Sequence, residues 1–216
     1  VTESRISDAR ARAYRYPGKD YYANLEYQVM RARVVAHYAV NKSALVNEYR
    51  QLLEDSSSPF TLDVNRYALA VAYYENEQYN LASQTLTPLL DKDPNRISYA
   101  VTQAEILTAQ NEPGQSLNFL QRHLEINPDN HPLTMAAVDA LTEARSYGEA
   151  AQLMERHIQQ RPNDDQLWFR LSETQGQAGN ISEVHKARAE YFRLLGDYLS
   201  SRQQLQFALR IETENG

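Results

Sequence analysis

Five histidines, His37, His123, His131, His157 and His185, are the side chains of this 216-residue sequence best suited to hold a metal or move a proton near neutral pH. No two of them stand four apart, so the H-E-x-x-H pattern, which sets two imidazoles and a glutamate on one helical face, does not occur. His123 and His157 recur in matching phrases, Gln121-Arg122-His123-Leu124 and Glu155-Arg156-His157-Ile158. Such recurrence reads as packing between neighbouring helices. Adjacent carboxylates such as Asp164-Asp165 read as helix-start residues favoured by the backbone dipole, not as an acid–base pair. There is no Cys, and the seven glycines form no G-x-S-x-G, Walker or G-x-G-x-x-G loop. The expectation is a chain that is not an enzyme and carries no cofactor or metal of its own.

The elements that would carry these residues are helices. Seven glycines and eight prolines are few for a turn-rich all-β chain. Tyr67 to Tyr74, the longest apolar run, is far short of the roughly 20 residues that cross a bilayer, so no membrane span is expected. The net charge of −6 divides into +4 over residues 1–50 and −10 over the remainder. An acidic body does not grip phosphates, which excludes nucleic acid as its partner. The chain opens at Val1 without a Met or a leader-like apolar stretch, and reads as a mature or excised piece.

Pro94, Pro128 and Pro162 fall at one constant interval, each flanked by Asn, Asp or Arg: Asp93-Pro94-Asn95, Asn127-Pro128-Asp129 and Arg161-Pro162-Asn163. A proline so placed ends one helix and precedes the next. The interval is a period of about 34 residues, which is the length of a helix–turn–helix repeat. The His123 and His157 phrases keep the same interval. The period predicts four such units, at 63–96, 97–130, 131–164 and 165–198. Small and bulky residues recur at helical spacing in each. Examples are Leu69, Ala70, Tyr79 and Ala82 in the first unit and Ala137, Leu141, Tyr147 and Ala150 in the third. Residues 21–62 predict a degenerate first hairpin, with helices from Tyr21 to about Val40 and from Ala44 to Glu54. Ser56-Ser57-Ser58-Pro59 would be a loop between this hairpin and the next unit. Residues 3–15 predict a further helix, stopped at Tyr16-Pro17-Gly18. Residues 199–216 predict a capping helix and tail, with Leu199, Leu205 and Leu209 shielding the last hairpin. These units resemble the tetratricopeptide repeat family. The fold class expected is therefore an all-α solenoid of antiparallel helical hairpins with a C-terminal capping helix.

In that family the first helix of each hairpin lines a groove where ligands lie. The resemblance implies groove positions at Tyr67, Val71, Tyr74, Glu75, Val101, Glu105, Met135, Asp139, Glu143, Phe169 and Glu173. Arg33 and His37 would join them from the degenerate hairpin. The family's better-known clamps hold acidic chaperone tails with Lys, Arg and Asn. An acidic, tyrosine-bearing face repels a carboxylate terminus and suits an extended or partly unfolded polypeptide.

Val1-Thr2-Glu3-Ser4-Arg5-Ile6 resembles the segment that closes the catalytic domain of bacterial HExxH zinc peptidases, whose His-Pro would lie just upstream. Together with the repeat register and the basic head, this makes the whole chain similar to the periplasmic β-barrel assembly-enhancing proteases of Gram-negative bacteria. The resemblance implies that residues 1–20 link to a missing protease domain, which carries the zinc and follows a signal peptide. It implies that the basic N-terminal segment faces that domain. It also implies a chaperone-like role in the periplasm, with β-barrel outer-membrane proteins, the barrel-assembly complex and the lipopolysaccharide-export barrel protein LptD as partners. The alternative from the residues alone is a stand-alone adaptor of an unrelated bacterial complex.

Overall fold

The computed structural model describes residues 3–13 and 24–214, which form twelve α-helices and, among these described residues, no strand. The helices are α1 (Glu3–Ala13), α2 (Leu25–Tyr38), α3 (Lys42–Glu54), α4 (Pro59–Glu75), α5 (Tyr79–Lys92) and α6 (Ile97–Ala109). They continue as α7 (Pro113–Ile126), α8 (His131–Glu143), α9 (Tyr147–Gln160), α10 (Asp165–Gln177), α11 (Ile181–Leu194) and α12 (Tyr198–Glu214). The stop expected at Tyr16-Pro17-Gly18 lies outside the described residues.

Helix starts follow side-chain chemistry. Asn24, Asn41 and Asn130 each accept a hydrogen bond from the backbone N–H three residues on, satisfying one of the orphan donors of a first turn. Ser58 and Thr61 exchange such bonds in a capping box, with Pro59 as the first helical residue. The Ser-Ser-Ser-Pro stretch therefore starts α4 ahead of position 63.

Within hairpins, α4 reverses into α5 through Glu77, α6 into α7 through Asn111, α8 into α9 through Arg145 and α10 into α11 through Gly179. All four hold positive φ, at 60°, 63°, 58° and 79°, and each stands one repeat period from the next. In each turn two N–H groups reach back over the helix end. Arg145 donates to Thr142 O at 2.9 Å and Ser146 to Leu141 O at 2.9 Å, the Schellman pattern. Gly196, at φ 80°, repeats it between α11 and α12.

In three of the four full hairpins a small residue sits where the two helices meet: Ala82, Ser116 and Ala150, all fully buried and again one period apart. In the fourth, Val184 stands at that place, beside Gly176 of α10. Leu86, Leu89, Leu120, Leu133 and Met154 fill the space around them. His123 and His157 are buried, as packing histidines should be. His123 lies against Phe119, with ring centroids 4.7 Å apart. The His157 Nε2 meets His131 Nδ1 at 2.9 Å.

The capping helix differs from expectation. Leu199, Leu205 and Leu209 point outward, at 70%, 51% and 62% exposure, and α12 instead buries Ser201 and Ala208. Ser201 and Ala208 let α12 pack against α11, and polar contacts join the two helices beside them. Glu212 accepts from Lys186 at 2.6 Å and Ser182 at 2.9 Å, while His185 bonds Gln204 at 2.7 Å.

Arg145→Gly removes the Cβ strain of a left-handed residue and keeps the turn. We expect a gain of about 0.5–1 kcal/mol after the added unfolded-state entropy, read as a higher urea midpoint. Leu209→Ala should stay within about 0.5 kcal/mol, whereas Leu171→Ala, buried in the fourth hairpin, should cost about 2–4 kcal/mol.

Candidate partner-binding groove

Helices α4, α6 and α8 are the first members of successive hairpins; α6 packs on α8 and α2 on α4, while Tyr67 of α4 meets Tyr99 and Thr102 of α6. A cleft of about 240 Å³ opens between α2, α4 and α6, with Val71 and Thr102 at its floor and Val34, Tyr38 and Tyr74 among its walls. A second cleft, of about 350 Å³, opens between α4, α6 and α8, lined by Thr108, Ala136, Asp139 and Glu143. Tyr74 and Glu105 line both, so the two form one groove. A third cleft, of about 270 Å³, shares Arg33 with the first and is walled by Met30, Ile97, Val101 and Pro132.

One network ties α2 into this groove. The Arg33 guanidinium grips both Glu105 oxygens, at 2.9 and 2.6 Å, and reaches Thr102 Oγ1 at 2.9 Å. Thr102 donates its own hydroxyl proton to Ser98 O at 2.9 Å. The Tyr67 hydroxyl, 2.8 Å from Thr102 Oγ1, is therefore the donor of their bond. Bidentate, partly buried pairing of this kind fixes orientation as well as charge.

Of the positions expected from sequence, Arg33, His37, Val71, Tyr74, Glu75 and Glu105 meet in the first cleft. Glu105, Asp139 and Glu143 meet in the second, and Val101 lies in the third. Tyr67 is not a groove residue. It is fully buried, because α2 packs over α4 and Arg33 and Thr102 close above the ring. Met135 is half-buried beside Arg170, whose Nη1 approaches its sulfur at 3.9 Å. Phe169 packs on Tyr191 with centroids 5.2 Å apart, and Glu173 is exposed; neither lines these clefts. Sequence reading missed Met30, Val34 and Tyr38, which are 46%, 58% and 77% exposed. Their signal was the i, i+4, i+8 spacing of large apolar residues on α2.

The groove is less acidic than its sequence. Glu105 is held by Arg33, Glu75 by Lys42 at 2.8 Å, and Asp139 by Arg170. Burial would raise the Glu75 carboxyl, but the bond and charge of Lys42, with His37 at 3.4 Å, outweigh it and hold the group below its usual range. Burial, with the Glu105 charge nearby, pushes the Tyr74 hydroxyl up to about 12, so it remains a neutral donor. Lys42 also donates to Ala36 O and His37 O, closing the C-terminal end of α2.

No family model matches the chain. It is 26% identical, over 91% of its length, to the β-barrel assembly-enhancing protease of Yersinia pestis, and the match spans 40% of that relative. It is 29% identical, over 92% of its length, to a putative protease of the same name from Vibrio cholerae, spanning 41% of it. The Escherichia coli K12 protein matches at 26% over 91% of the chain. The chain thus spans about 40% of the length of these relatives. Among solved structures, a tetratricopeptide repeat protein of Thermus thermophilus superposes with a TM-score of 0.60 at 15% identity, covering 86% of this chain and 99% of that one. One from Parabacteroides merdae gives 0.57 at 10% identity, covering 88% and 80%. Another, described as having an unusual peptide-binding site, gives 0.51 at 15% identity, covering 85% and 93%. The fold is a tetratricopeptide repeat solenoid. The part of the proteases that the chain matches is their tetratricopeptide part. No described helix is long and apolar enough to cross a membrane, and no three described His, Asp or Glu residues converge as metal ligands.

Two measurements test the geometry. Tyr67→Phe removes one donated bond and should cost about 1 kcal/mol, whereas Tyr67→Ala should cost about 3–5 kcal/mol as a core deletion. Because the Glu75 pKa is depressed in the folded state, its stabilisation is present above the unfolded carboxylate range of about 4.3 and is lost as pH falls through the lower folded value. Glu75→Gln should flatten that acid limb in a series of melting curves.

Proposed function

We propose that this chain is the recruiting arm of a periplasmic zinc metalloprotease that assists and polices the assembly of β-barrel outer-membrane proteins. The groove formed by α2, α4, α6 and α8 holds extended or partly unfolded segments of clients and of assembly partners. Those partners are the barrel-assembly complex and LptD, and the catalytic zinc belongs to a domain outside this sequence. The parent carries a signal peptide and combines peptidase with chaperone work. The basic N-terminal segment, residues 1–20, faces the protease domain.

The observation that carries this reading is the match of nearly the whole chain to one part of proteases named for enhancing β-barrel assembly. The groove gives it a mechanism. Tyr74 offers a rigid face and a neutral hydroxyl, Val34 and Tyr38 offer exposed apolar area, and hairpins at a fixed spacing let an extended chain run across them.

The test is site-specific photo-crosslinking in cells expressing the full-length protein. Probes at Tyr74, Glu105, Asp139 and Glu143 sample the groove, and probes at exposed Arg122 and Arg156 sample the second helices of two hairpins. Adducts with outer-membrane β-barrel proteins or the assembly complex from the groove positions are expected. Adducts only from Arg122 and Arg156 would move the binding face to the opposite side.

A further inference from the structure

We infer that the groove's occupant is a polypeptide segment carrying a large apolar side chain with a lysine or arginine a few residues away. This rests on the groove reading above and adds the chemistry of what is recognised.

The apolar half of the requirement comes from the first cleft. Val34 and Tyr38 stand exposed on α2 across from Tyr74, over a floor of Val71. Exposed apolar area facing a concave floor is stabilised by a ligand side chain that removes it from water.

The basic half comes from a column of acids at one repeat position. Glu105, Asp139 and Glu173 stand one period apart on α6, α8 and α10. This chain supplies guanidinium groups to the first two, Arg33 on Glu105 and Arg170 on Asp139. These pairs display the ligand type the column accepts. Glu143, which lines the second cleft, makes no ion pair among the described residues, nor does Glu173. Glu143 is also the last residue of α8, where the helix dipole disfavours an anion. A cation from a partner would relieve that cost.

Arg33 borders the first and third clefts, and Tyr74 and Glu105 border the first and second, so the three adjoin one another.

The test is fluorescence anisotropy with labelled Gly/Ser peptides bearing Phe-Gly-Gly-Lys, Phe-Gly-Gly-Glu or Ser-Gly-Gly-Lys. The Phe–Lys peptide should bind about fivefold more tightly than the Phe–Glu peptide, and the advantage should shrink with added salt. Glu143→Lys, at an exposed position with circular dichroism confirming the fold, should invert the preference. Equal binding of the Lys and Glu peptides, a preference untouched by Glu143→Lys, or no binding of any peptide at millimolar concentration overturns the inference. Groove crosslinks that persist in those cases leave the recruiting role standing with a different recognition rule, and their loss removes both.

Discussion

The left-handed residue that closes each of the four full hairpins, from α4–α5 to α10–α11, is the constraint on which the rest of the molecule depends. At Glu77, Asn111, Arg145 and Gly179 the chain reverses sharply from one helix into the next. That brings the second helix back onto the first, at Ala82, Ser116 and Ala150 in three of the full hairpins and at Val184 in the fourth. A looser reversal would let successive first helices drift in register. Because the turn recurs once per repeat period, α6, α8 and α10 carry Glu105, Asp139 and Glu173 at equivalent positions, and the first two of these helices line the groove. Three of the four turn residues carry a Cβ in a conformation that favours glycine. The surrounding bonds over-determine the turn enough to hold it.

The groove that results is partly occupied by the protein's own charges. Arg33 comes from the degenerate hairpin and stands 72 residues from Glu105; their pairing, with Thr102 and Tyr67 beneath, locks α2 across the first full hairpin. The same contact buries Tyr67 and exposes Met30, Val34 and Tyr38 on the open side of α2. The fold thereby exchanges one aromatic anchor for an aliphatic and aromatic wall. It also leaves the residual negative charge toward Glu143 and Glu173, away from that wall. An acidic tail, the ligand of the better-known repeat clamps, meets repulsion there.

Much of this was legible in the sequence, and the remainder has identifiable causes. The prolines at 94, 128 and 162 predict helix starts that the structure places at Ile97, His131 and Asp165. The turn residues were hidden because only Gly179 announces itself, although stepping back from it by the period reaches the other three. Tyr67 could not be read correctly: its periodic equivalents Val101, Met135 and Phe169 are more open, and only tertiary packing of α2 covers it. Ion pairs such as Arg170 with Asp139 join residues 31 apart on different helices, a separation that no local pattern reports. On α12, amphipathic spacing revealed a two-faced helix but not which face turns inward: the small residues Ser201 and Ala208 pack on α11, and Glu212 and Gln204 bond Lys186 and His185 beside them.

Hydrogen–deuterium exchange with and without an unfolded outer-membrane β-barrel polypeptide tests the groove claim most directly. The groove account predicts added protection in α2 and in the C-terminal halves of α4, α6 and α8, with α5, α7 and α9 unchanged. Protection confined to α5, α7 and α9 would contradict it.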